Sequence, residues 1–164
     1  MKRPLLTALL SLAGLALAQG KAPVALTLTM NLVSSVKVDG KTTEQLTPNP
    51  GSVLPGQVLS QVVTARNTSA ALLRNVPITL PVPKNTVYLA PEQGLGSARA
   101  EYSIDGGKTF APAPLKKTVT VSENGKAVQK VIEVKPSEYT TVRWTVAELG
   151  AGQTLKLGYR VQVK

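Results

Sequence analysis

Histidine and cysteine are both absent from this sequence of 164 residues, and aromatic residues make up only 4% of it. Without those two residue types the chain has no imidazole base, no thiolate nucleophile, no disulfide framework and no ordinary zinc site. Nine aspartate and glutamate residues remain, which can act in pairs in glycosidases, but no spacing in the sequence pairs them. The composition therefore predicts a protein that is not an enzyme, with no catalytic residues, no cofactor and no metal.

The first residues have the pattern of a secretory signal peptide. Lys2 and Arg3 precede an apolar run over residues 5–17, and Ala16 and Ala18 supply the small residues that a signal peptidase needs. The run is too short for a membrane span, which takes roughly 20 apolar residues. We therefore predict a signal peptide over residues 1–18 and a single mature domain over residues 19–164. The mature chain should have no transmembrane segment and should lie in the periplasm, on the cell surface or outside the cell.

The mature sequence alternates between apolar and polar residues, which is the period of a β-strand with one buried face. Hairpin turns are predicted at Asp39-Gly40, at Asp105-Gly106 and at Asn124-Gly125. The segment 57–67 is apolar on both faces, as in a central strand. Prolines 77, 81 and 83 should lie at strand edges or bulges. Turn signals recur about every ten residues without a sustained helical period, which favours an all-β fold, an antiparallel two-sheet Ig-like β-sandwich, over an up-and-down barrel.

Several motifs occur in the order found in a known bacterial family. They are Pro55-Gly56-Gln57, Val63-Thr64-Ala65-Arg66-Asn67, Asn75-Val76-Pro77-Ile78-Thr79-Leu80-Pro81-Val82-Pro83, Thr86-Val87-Tyr88, Ala100-Glu101-Tyr102-Ser103-Ile104-Asp105-Gly106-Gly107-Lys108-Thr109-Phe110, Arg143-Trp144 and Leu149-Gly150-Ala151-Gly152-Gln153. In this the chain resembles the secreted "conserved repeat domain" Ig-like family, the eleventh domain of unknown function, over residues 53–164. The resemblance implies an extracellular or envelope protein with a structural or adhesive role. Members often carry the domain in tandem, whereas this chain carries one copy.

Four local patterns could carry chemistry, but each has a simpler structural explanation. Ser34 and Lys37 match a Ser-x-x-Lys pattern, yet on a strand they should point to opposite faces. Asn67 begins a glycosylation sequon and also suits a strand end. Asp39 and Asp105 each precede glycine in a turn. Trp144 is in phase with neighbouring valines and should be buried. We predict structural roles for all of them.

The final strand carries a row of basic residues, Lys156, Arg160 and Lys164, on its polar side. Together with an overall net charge of +10, this row is a candidate surface for an acidic polysaccharide or lipopolysaccharide. A solvated face that protects an edge strand from aggregation explains it equally well. Nucleic acid is not expected as a partner, because no aromatic residues alternate with the basic ones.

A second candidate surface is the first mature strand, which lies close to the predicted cleavage point. Its apolar row consists of Val24, Leu26, Leu28, Met30 and Leu32. Such a row can pair within its own domain or add to the sheet of another copy or another envelope protein. The sequence thus favours an exported structural or adhesive protein. The alternative is a soluble periplasmic module that binds an anionic polymer or another secreted protein.

Overall fold

The computed structural model describes residues 22–96 and 98–164, so the predicted signal peptide lies outside the described residues. Strands are the main regular element of this part of the chain, and its one helical element is a 3-10 turn at Pro136–Glu138. The strands are β1 (Val24–Val38), β2 (Lys41–Pro48), β3 (Val58–Asn67), β4 (Leu73–Pro81), β5 (Thr86–Pro91), β6 (Arg99–Ser103), β7 (Lys116–Glu123), β8 (Lys126–Glu133), β9 (Thr141–Leu149) and β10 (Thr154–Val163). The predicted all-β class is confirmed.

The strands form two antiparallel layers and a separate arm. The larger layer has five strands in the order β2-β1-β3-β10-β5, and the smaller has three in the order β4-β9-β6. Strands β7 and β8 pair only with each other among the described strands, and they form a two-stranded arm. No helix in residues 22–96 and 98–164 is long and apolar enough to cross a membrane.

The core lies between the two layers. Trp144 of β9 stacks on Tyr159 of β10 with ring centroids 6.1 Å apart, and Tyr88 of β5 meets Tyr102 of β6 edge-on at 5.5 Å. The hydroxyl of Tyr159 also donates a hydrogen bond across the layers to the carbonyl of Pro81, at 2.7 Å. Strand β9 therefore lies over β10 and β6 over β5. The strand order then places β4 over β3, with no described strand over β1 or β2.

Most of the predicted local structure is confirmed. Asp39 and Gly40 have positive φ angles of 50° and 77° and join β1 to β2, while Asn124 and Gly125 do the same between β7 and β8. Strand β3 is central, paired with β1 on one side and β10 on the other. On β10, Leu157, Tyr159 and Val161 alternate with the basic row and are at most 2% exposed, and Trp144, which was predicted to be buried, is 5% exposed.

Two predictions about strand arrangement are wrong. The turn at Asp105 does not open a full hairpin, because the Asp105 carboxylate accepts bonds from the Lys108 and Thr109 amides, and only Ala111 returns to pair with β6. The carboxylate thus binds main-chain amides that a returning hairpin strand would have used for pairing with β6. The explanation of the basic row as protection of an edge strand also assumed that β10 lies at an edge, but β10 lies between β3 and β5 because β5 belongs to the larger layer.

Candidate functional site

The apolar row of β1 faces the core side of its sheet, yet it is only partly covered. Leu26 and Leu28 are 54% and 51% exposed, whereas Val24, Met30 and Leu32 are half-buried against the core. The cause is the unequal width of the layers, because the three strands of the smaller layer end over β3. Two adjacent leucines on the inner face of the sheet therefore remain exposed among the described residues.

The backbone edge of the same segment is also open. The Asn49 amide donates to the Met30 carbonyl at 2.8 Å, so the polar backbone groups of even-numbered residues in β1 point towards β2. The Thr68 amide donates to the Pro23 carbonyl at 2.8 Å, so odd-numbered residues point towards β3. The pairing with β2 begins only at Asn31, opposite Pro48. The outward N–H and C=O groups of Val24, Leu26 and Leu28 have no partner strand among the described residues.

This open edge carries no charge. Residues 22–36 contain no lysine, arginine, aspartate or glutamate, in a chain of which 17% is charged. Natural proteins usually guard exposed edges with charges, prolines, bulges or short strands, because an unguarded edge is a template for strand addition. The segment 24–28 has none of these protections and lies beside two exposed leucines. It is the strongest candidate for an interaction surface in the described structure.

The other sheet edges of the described structure carry features that disfavour the addition of a further strand. The Val82 amide donates to the Thr140 carbonyl on the β9 side, so Pro77 and Pro81 of β4 face the open side, where they offer no N–H donor. Strand β2 carries Lys41 and Glu44 and is exposed along its whole length. The pairing of β5 with β10 contains a register shift beside Arg160, and Ala111 caps part of β6.

The predicted basic row is divided by an ion-pair cluster on the outer face of the larger layer. Lys156 and Lys164 are exposed, but the Arg160 guanidinium lies between the carboxylates of Glu44 and Glu92. Its nitrogens bind the two Glu44 oxygens at 2.7 and 2.8 Å, and Nη2 binds Glu92 at 2.8 Å. The charge of Arg160 is therefore compensated within the chain. Anion binding by the row stays a prediction, with Lys156 and Lys164 as the members that form no ion pair among residues 22–96 and 98–164.

Contacts within this cluster shift the pKa values of all three of its side chains. The hydrogen bond from Arg160 is the main cause that lowers the pKa of the Glu44 carboxyl. Burial acts to raise the pKa of Glu92, but several hydrogen bonds to its carboxylate, the largest from Arg160, and the charge of Arg160 together outweigh burial, so the pKa is lowered. The hydrogen bonds that Arg160 donates to both carboxylates raise the pKa of Arg160 above its ordinary value. All three groups stay charged at neutral pH, and together they join β2, β10 and the loop after β5.

The ion-pair cluster of Arg160, Glu44 and Glu92 was not predicted from the sequence. Glu44 and Glu92 are separated from Arg160 by 116 and 68 positions, and no local motif connects them. Only the strand order brings the three residues to one face. The alternation of β10 did place Arg160 on that outer face, which is the one part of the arrangement that the sequence could supply.

The other candidate residues have structural partners. Asn67 is fully buried at the end of β3, and its side-chain amide donates to the carbonyls of Ala71 and Leu149 at 2.7 and 2.9 Å. Asp105 accepts bonds from the Ser103 and Thr109 hydroxyls at 2.6 Å, and the bond from Ser103 is the largest cause that lowers its pKa. Within the described chain, no group of three or more aspartate or glutamate side chains is arranged to hold a metal.

Lys156 and Lys164 border separate concave surfaces. Lys156 lines a shallow cavity of about 290 Å³ with Leu46, Val62 and Leu95, and Lys164 lines another of about 330 Å³ with Lys84 and Glu138. The two lysines therefore do not converge on one binding pocket. Ser34 and Lys37 both lie on β1, where residues three apart point to opposite faces, so the structure does not bring them together.

Comparisons of this chain with models of known protein families, with curated proteins and with solved structures find no match.

Proposed function

We propose that this protein is an exported, non-enzymatic structural or adhesive component of the bacterial cell envelope or surface, which associates with other chains by β-strand addition. The observation that carries the proposal is the unguarded edge of β1 at residues 24–28, with Leu26 and Leu28 half-exposed beside it. Strand addition needs free main-chain donors and acceptors together with a row of side chains that gain contacts. This segment supplies both.

The surrounding structure makes the edge a rigid platform. Residues 24–33 of β1 are paired with β3 along the whole length of β3, which is itself paired with β10 on its other side. A strand that binds to this edge would therefore extend a sheet whose geometry is already fixed. Preorganisation of this kind reduces the conformational entropy that is lost on association.

Export is supported by the sequence pattern at the start of the chain. Cleavage after Ala18 would leave five residues before Val24, the first residue of β1. The resemblance to the secreted Ig-like repeat family agrees with a structural or adhesive role. The alternative of a soluble module for an anionic polymer rests on Lys156 and Lys164, which are exposed, while the charge of Arg160 is paired with Glu44 and Glu92.

The proposal can be tested by fractionation of cells that produce the full-length chain. We expect the wild-type protein in the envelope or surface fraction, with its N-terminus at Gln19 by mass spectrometry. Leu28→Lys should shift the protein to the soluble exported fraction, because a charge on the open edge disfavours strand addition. A matched control is Val131→Lys on the arm, where Val131 is 68% exposed. Retention of Met1 in a cytoplasmic protein, or an envelope fraction unaffected by Leu28→Lys, would overturn the proposal.

A further inference from the structure

The edge of β1 also has a geometry that selects its partner. We propose that two copies of this chain pair antiparallel along residues 24–28, about a twofold axis that passes beside Leu26. This inference rests on the proposed function for its biological setting, but its geometry can be tested separately. The partner is a second copy of the same chain, and the contact joins the two larger layers into one continuous sheet.

The register follows from where the edge is open. Towards the C-terminal end, the Met30 carbonyl is already bound by the Asn49 amide, and β2 occupies the edge beyond it. Towards the N-terminal end, the outward groups begin at Val24, which is the first residue of β1. The free window is therefore symmetric about Leu26. An antiparallel copy centred there uses every outward donor and acceptor in the window.

In this register the backbone groups match. Leu26 lies opposite Leu26 of the second copy, and Val24 lies opposite Leu28 in both directions. Because all of these residues point their N–H and C=O groups outward, each opposed pair exchanges both main-chain hydrogen bonds. Residues 25 and 27 keep their bonds to β3 in their own chain, so pairing costs no existing strand bond.

The side chains in this register also favour self-association. The opposed residues on the inner face are valine and leucine, and those on the outer face are Ala25 and Thr27. A segment paired with itself places like residues in proximity, so any charge would repel its own copy. The absence of charge over residues 22–36 removes that penalty. The contact is short, and we expect a weak dimer whose population depends on protein concentration.

Disulfide cross-linking tests the register directly, because the native chain contains no cysteine. Opposed residues of a hydrogen-bonded pair lie with Cα atoms about 5.5 Å apart, within the range that a disulfide spans. Leu26→Cys in the exported, purified protein should give a covalent dimer on mild oxidation. Val24→Cys and Leu28→Cys should each give little dimer alone, and should give a heterodimer when the two variants are mixed. Equal cross-linking of all three variants alone would contradict the register.

A charge swap provides the second test, measured by sedimentation velocity. Leu26→Lys and Leu26→Glu should each be monomeric, since each places like charges opposite one another, while an equimolar mixture should recover dimers. Unchanged melting temperatures would show that both variants are folded. Monomers at every concentration in the wild-type protein, with no covalent dimer from Leu26→Cys, would overturn this pairing even if Leu28→Lys still released the protein from the envelope. Dimers centred on Leu26 in a protein that is never exported would instead overturn the proposed function and leave the pairing intact.

Discussion

Strands β10 and β1 belong to the same sheet and carry apolar rows of the same period, but the two rows differ in how far they are buried. Leu157, Tyr159 and Val161 of β10 are at most 2% exposed, whereas Leu26 and Leu28 of β1 are about half exposed. Both rows point to the core side of the sheet, and both alternate with polar residues. The difference lies in the opposite layer, which places β9 over β10 and no described strand over β1.

This comparison separates two properties that a sequence pattern combines. Alternation determines which face of the sheet a side chain occupies, since neighbouring residues of a strand point to opposite sides. Burial depends in addition on the width of the facing layer. The row of β10 stabilises the folded monomer, while the central part of the row of β1 is available for contact with another chain.

The largest expected difference between the two rows is in core truncation. Leu157→Ala should lower the free energy of unfolding by about 2–5 kcal/mol, because it leaves a cavity between the layers. Leu28→Ala removes a side chain that is already half in solvent and should cost less than about 1 kcal/mol. Denaturant titration in dilute solution, where the protein is monomeric, measures both values. Similar losses of unfolding free energy in the two variants would contradict the account that the smaller layer covers β10 but leaves this part of β1 exposed.

A smaller effect is expected from the cluster that ties β10 to β2. Because Arg160 lowers the pKa values of Glu44 and Glu92, their contribution to stability is complete at neutral pH and is lost as the pH falls below about 4. Arg160→Gln should destabilise the protein near pH 7 by less than Leu157→Ala does. The difference from wild type should shrink as the carboxylates become protonated.

Unfolding titrations between pH 7 and pH 2 measure this dependence for the two proteins. A difference between wild type and Arg160→Gln that stayed constant over the whole range would show that the ion pairs do not contribute to it.

The two strands should also differ in the effect of removing one hydroxyl group, because a hydroxyl of β10 forms a hydrogen bond between the layers. Tyr159→Phe removes the donor to the Pro81 carbonyl and should cost about 0.5–1.5 kcal/mol. Thr27→Val on the outer face of β1 is the matched control, since Thr27 is exposed, and it should change stability by less than about 0.5 kcal/mol. Thermal unfolding of both variants gives the comparison. An unchanged melting temperature for Tyr159→Phe would mean that this bond adds nothing to the contact between layers.

The smallest effect is expected on the polar side of β10. Lys156→Ala should change the free energy of unfolding by less than about 0.5 kcal/mol, because Lys156 is exposed and its neighbour Arg160 is held by other residues. The variant should be measured by the same denaturant titration as Leu157→Ala, because Lys156 is the adjacent residue of β10 and lies on the opposite face of the sheet. A large loss would contradict the alternation of β10.

Much of this fold was predictable from local sequence. The Asp39-Gly40 and Asn124-Gly125 turns form where their positive φ angles are needed, and the prolines of β4 lie at its open edge. The turn at Asp105 differs because its carboxylate competes for the main chain with the expected returning strand. That outcome depends on the contacts of one side chain, which turn composition does not encode.

The candidate site was predictable only in part. Alternation identified the row that contains Leu26 and Leu28, and the lack of charge is visible in the sequence. Their exposure was not predictable, because it requires the number of strands in each layer and the position at which β2 stops pairing with β1. The grouping of Arg160 with Glu44 and Glu92 depends on the same long-range strand order.

Amide hydrogen exchange along β1 tests most directly whether its edge is open and used for self-association. The amides of Ala25 and Thr27, which point towards β3, should be protected at every protein concentration. Those of Val24, Leu26 and Leu28 should exchange rapidly in dilute solution and gain protection as the concentration rises. Equal protection of both sets in dilute solution would contradict the open edge, and protection of the second set that did not change with concentration would contradict its use in association.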